Sequence, residues 1–153
     1  MTTQDLRGFA LRKMIFALVF LGIVGLLLEL LLLEHFDSAT QWIPLVSLGL
    51  GLATAVSVAR RPTRASMRAF QLMMLAFVVT GLLGLVLHLK GNVEWALERS
   101  PDLGGWQLAW KALRGATPAL APGALAQLGL LGLAWSYRHP ALDPEHKATE
   151  TVS

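Results

Sequence analysis

The chain has no cysteine, which excludes disulfides, iron–sulfur clusters and thiolate metal sites. Charge is also scarce: 15 % of the 153 residues are charged, against about 25 % in an ordinary soluble domain. Nucleophile elbows, phosphate-binding glycine loops and His-Glu-x-x-His patterns do not occur in the sequence, so no catalytic set is expected. What replaces them is apolar sequence. Hydrophobic residues make up 54 % of the chain, in long runs rather than in alternation with polar ones. This composition excludes a disordered chain, a secreted disulfide scaffold and a typical soluble enzyme, and the length suits one domain.

A bilayer core of about 30 Å takes roughly 20 apolar residues in a helix. Four runs approach that length, at about 14–33, 43–59, 69–89 and 119–137. The first is interrupted by Glu29, the third carries His88 near its end, and the fourth carries Gln127. Backbone amides inside lipid must be paired within the segment. The expected fold is therefore an all-α membrane protein with four transmembrane helices in one domain over residues 1–142, followed by a flexible cytoplasmic tail at 143–153. His139 and His146 are read as part of polar, tail-like sequence.

Nine of the 13 Lys and Arg residues fall in the N-terminal segment, the short second connection (Arg60, Arg61, Arg64, Arg68) and the C-terminal tail. The other four lie in the third connection, offset by Glu94, Glu98 and Asp102. This asymmetry predicts both termini in the cytoplasm. Trp42, Trp95, Trp106 and Trp110 fall at the opposite end, as an interfacial belt would. The basic residues read as an orientation signal and as contacts for anionic headgroups, which makes nucleic acid an unexpected partner. The first apolar run is longer than a signal-peptide core and is read as an uncleaved span.

Two helical hairpins show signs of duplication. Gly22-Ile23-Val24-Gly25 aligns with Gly81-Leu82-Leu83-Gly84 at an offset that sets Glu29 opposite His88. Leu48-Gly49-Leu50 resembles Leu128-Gly129-Leu130, and Pro44 and Pro122 are each followed by a second proline 18 residues later. Pro44 and Pro122 are expected in the first turn of their helices, where a missing N–H is harmless. Gly22, Gly25 and Glu29 share one stripe of the first helix, and Gly81, Gly84 and His88 one stripe of the third. Small residues let membrane helices approach, so facing stripes would bring Glu29 and His88 into a hydrogen-bonded pair. Glu29 would then lie about 6 Å inside the span.

In the third connection Val93 to Arg99 reads as a short helix, and Ser100-Pro101-Asp102 as a stop and restart. Leu103, Trp106, Trp110 and Leu113 then mark one face of an amphipathic helix over about 103–114. That helix suits the headgroup plane, a lid over the bundle mouth, or a partner surface. Glu34 and His35 follow the first span directly. With Glu29 and His88 they form a conceivable zinc, copper or proton site. A haem between His35 and His88 is a further reading. Met73 and Met74 read as core.

Trp42-Ile43-Pro44-Leu45, the stretch Thr117-Pro118-Ala119-Leu120-Ala121-Pro122-Gly123 and the exit Tyr137-Arg138-His139-Pro140-Ala141-Leu142 resemble small four-span inner-membrane proteins of bacteria. The resemblance spans Glu29 to Leu142 and implies a bacterial inner-membrane location, but no mechanism. The leading expectation is a non-catalytic accessory or structural subunit of a larger membrane assembly, without a cofactor, partnered by other subunits or by further copies of itself. A small transporter or metal- or proton-handling protein using Glu29 and His88 is the alternative, and a haem-binding redox protein the third.

Overall fold

A computed structural model of the chain describes residues 3–115 and 120–143, with backbone only for 3–7. The readings placed on Thr117, Pro118, Ala119, His146, Lys147 and the tail beyond Asp143 lie outside the described residues. Among those described, all regular structure is helical: α1 (Thr3–Leu32), α2 (Ala39–Arg60), α3 (Arg64–Arg99), α4 (Gly105–Leu113) and α5 (Gly123–Ser136), then a 3-10 turn at Pro140–Leu142. Three of the helices, taken over Gly8–Leu32, Ala39–Arg60 and Arg64–Arg99, are long and apolar enough to cross a membrane. The shorter apolar α5 has 14 residues, a length of about 21 Å at 1.5 Å per residue.

The helices begin and end where local chemistry permits. The α2–α3 connection is held by reciprocal capping, in which the Ser66 N–H donates to Thr63 Oγ1 at 3.1 Å and the Thr63 N–H donates to Ser66 Oγ at 2.9 Å. At the start of α2 the Ser38 N–H donates to Gln41 Oε1 at 3.1 Å. That helix therefore starts a turn before the expected boundary and places Pro44 inside it rather than in its first turn. Pro122 takes the N-cap position of α5. The expected short helix at Val93–Arg99 is the end of α3, which runs unbroken through Gly91; an isolated glycine weakens a helix without ending it.

α1 packs against α2 and α5, while α3 packs against α2, α4 and α5. The first and third helices thus lie across the bundle from each other and meet through Phe16 and Phe70, whose ring centroids are 6.3 Å apart. Val19, Ile23, Leu48, Met67, Phe70, Met74 and Phe77 are buried in the core, as expected for Met74. Leu21, Leu72, Leu83 and Leu130 project outward, each at least 59 % exposed. An outer surface so rich in leucine matches hydrocarbon rather than water.

The closest seam joins α3 and α5. A Cβ on Gly81 would collide with the backbone of Ala126 and Pro122, and one on Gly129 with the carbonyl oxygen of Met74. Gly49, aligned with Gly129 in the sequence, has nothing within 4 Å of its Cβ position. The repeat in the sequence is therefore not repeated in the packing.

Candidate functional site

The two glycine stripes do not face each other; both face α5. Gly22 meets the Leu128 side chain, while Gly81 and Gly84 meet Pro122 and Ala126. Glu29 therefore points along the α1–α5 seam, and its carboxylate makes no hydrogen bond or ion pair among the described residues. The expected Glu29–His88 pair is not formed. His88 is half-buried on α3, seven residues beyond Gly81 on a helix that α1 does not flank.

Between α1 and α5 the stripe opens into a groove of about 660 Å³. Gly22, Gly25, Leu26 and Glu29 line one wall, and Gln127, Leu128 and Leu131 are among the residues lining the other. The walls are mainly apolar. Above Gly25 there is open space, with no atom within 4 Å of where its Cβ would stand. Glu29 and Gln127 supply the polar groups: an acceptor and an amide able both to donate and to accept. An intramembrane ionisable residue normally faces a partner or a cavity, and here Glu29 faces the groove.

Glu34 has a different task. It ends α1 with φ at 51°, in the left-handed region that glycine favours. Its N–H donates to Leu31 O at 3.1 Å and the N–H of His35 donates to Leu30 O at 2.9 Å, the paired bonds of a Schellman turn. Glu34 and His35 are thus set by the helix terminus. Among the described residues no three His, Asp or Glu side chains are grouped so as to hold a metal ion.

At the same end of the bundle, α4 buries Ala112 and leaves Trp106 and Trp110 73 % and 50 % exposed, stacked with centroids 5.9 Å apart. Leu113 is also exposed, and Leu103 is half-buried. The tryptophan face turns away from the bundle rather than closing over it. Its attachment is polar: Asn92 Nδ2 donates to Ala112 O at 2.9 Å and Lys111 Nζ donates to Ser100 Oγ at 3.2 Å.

The sequence reading missed a cluster at the basic end. His139, expected in tail-like sequence, makes a tilted ring contact with Trp135, and Ala141 and Leu142 pack against the core. One signal was available: Trp135 is the tryptophan that lies away from the belt at the other end. Comparisons with family models, curated proteins and solved structures give no match to this chain.

Proposed function

We propose that this chain is a non-catalytic subunit of a bacterial inner-membrane assembly, crossing the bilayer four times with both termini in the cytoplasm. The fourth crossing runs over residues 119–137, with α5 as its helical core. The basic end lies in the cytoplasm by charge asymmetry, and the α4 tryptophans rest in the opposite headgroup layer. The subunit receives one transmembrane helix of another protein in the α1–α5 groove. That helix carries small side chains against Gly25 and a hydrogen-bond donor at the level of Glu29.

The observation that supports this reading is the groove itself, a lateral opening between two helices with a carboxylate that has no partner among the described residues. Polar groups at membrane depth act as glue between helices, and small residues set the distance of approach. The groove opens sideways onto the surface of the bundle, which suits a helix better than a transported solute.

A photo-crosslinking residue at position 25 tests it, compared in native membranes with the same residue at position 83 on the leucine-rich surface. A discrete adduct with one other protein from position 25, absent from position 83, is expected. Adducts with lipid alone from both positions contradict the proposal.

A further inference from the structure

The basic end of the bundle holds a second polar site, independent of the groove. Phe16 of α1 lies against Trp135 with centroids 4.6 Å apart, and Phe70 of α3 meets the indole edge-on at 5.3 Å. Trp135 is 7 % exposed, and its buried Nε1–H has no acceptor among the described residues. One turn before Phe16, on the same face of α1, stands Arg12. Its side chain is half-buried, and its Nη1 is closed from solvent and likewise has no acceptor among the described residues. His139 lies against Trp135 in a tilted ring contact, with centroids 5.2 Å apart.

The protonation pattern is legible from the bonds. His139 Nδ1 accepts the N–H of Ala141 at 3.2 Å, so a neutral ring carries its proton on Nε2. Burial, and then the positive charge of Arg12, lowers the pKa of His139. Trp135 contacts both Phe16, one turn from Arg12 on α1, and His139, so guanidinium, indole and imidazole are three donors at the same end of the bundle. The ion pair found among the described residues, Lys90–Glu94 at 3.7 Å, lies at the other end. Arg60, Arg61, Arg64 and Arg138 lie at the same end of the bundle and carry charge of the same sign. Among the described residues no carboxylate pairs with this partly desolvated guanidinium, and an anion from outside the chain would complete it.

We propose that Arg12, Trp135 and His139 form a binding site for a phosphate-class oxyanion, with Arg12 as the charged ligand and the indole and imidazole N–H groups as neighbouring donors. The anion comes either from the headgroup of an acidic phospholipid or from free phosphate. Basic sites between helices at the cytoplasmic face recognise the former in this way.

The test uses the full chain in detergent micelles, labelled with ¹⁵N in its tryptophans. Five indole signals are available, and Trp135→Phe assigns the one that matters. Short-chain phosphatidylglycerol, phosphatidylcholine and inorganic phosphate are titrated in turn. A saturable shift of the Trp135 signal with phosphatidylglycerol, but not with phosphatidylcholine, is expected. The same shift with inorganic phosphate identifies a site for the free oxyanion, and its absence there identifies a lipid-headgroup site.

Arg12→Gln is expected to weaken binding by about tenfold or more, the scale of a lost charge-assisted hydrogen bond. Lys13→Gln, one residue away, should change it by less than about twofold, as expected of an exposed charge. His139→Phe keeps an aromatic ring against Trp135 and removes a donor, so it provides a second variant if Arg12→Gln does not fold. The proposal is overturned if neither phosphatidylglycerol nor phosphate moves the Trp135 signal, or if the folded variants at Arg12 and His139 bind as wild type does.

Discussion

Gly129 on α5 lies directly against the carbonyl oxygen of Met74 on α3, with Val78 beside it, leaving no room for a Cβ. The obstacle is backbone, which cannot swing aside as a flexible side chain can. Gly129→Ala is therefore expected to force α3 and α5 apart and destabilise the fold by about 1–3 kcal/mol, the usual range for overpacking. Gly25→Ala, with open space above it, should leave stability within about 0.5 kcal/mol. Thermal unfolding in detergent compares the two; equal losses would contradict the assignment of the α3–α5 seam.

Glu34 pays a conformational penalty for closing α1. A residue with a Cβ in the left-handed region costs roughly 1–2 kcal/mol, and no side-chain bond of Glu34 among the described residues offsets it. Glu34→Gly should raise stability by about 1 kcal/mol, reduced by the extra freedom glycine gives the unfolded chain. A higher unfolding temperature is the expected readout. A marked fall would mean that the carboxylate has a partner, and would return Glu34 to the list of ligands.

His139 makes stability depend on pH. Its folded-state pKa lies below the ordinary value of about 6.5, through burial first and Arg12 second. Above that value the imidazole is neutral in both states and its contribution is intact. As pH falls through and below about 6.5 the unfolded chain takes up the proton first, so stability declines toward the folded-state pKa. His139→Asn keeps an acceptor for the Ala141 N–H and removes the titration. It should melt with a shallower pH slope between about 7 and 5.5. The difference between the two proteins isolates His139 from the other histidines, and identical slopes would contradict the account.

The apolar runs made the helices legible because a backbone surrounded by hydrocarbon has little alternative to helix. Their ends were less so. α1 starts at Thr3 rather than near Met14, since Arg7, Arg12 and Lys13 are good helix formers that mark a membrane boundary without breaking the chain. α3 continues past Leu89 for a similar reason, as Gly91 alone does not stop it. The glycine stripes were visible, but a stripe records that something approaches and not what does. That Gly22 and Gly81 both face α5, and thereby separate Glu29 from His88, is a property of the packing. The Arg12–Trp135–His139 cluster unites three distant parts of the chain, and periodicity within any one helix does not carry that information.

The proposed occupant of the α1–α5 groove is a helix from another protein. Native mass spectrometry of the full chain, extracted gently from its own membranes, tests it most directly when wild type is compared with Gly25→Leu and Glu29→Leu. Discrete heavier species containing another protein are expected for wild type. Both variants should lose that partner, while their unfolding temperatures stay close to wild type because neither position is packed within the bundle. A wild-type chain found solely as a monomer or homo-oligomer, or a partner retained when leucine fills the groove at position 25, would contradict it.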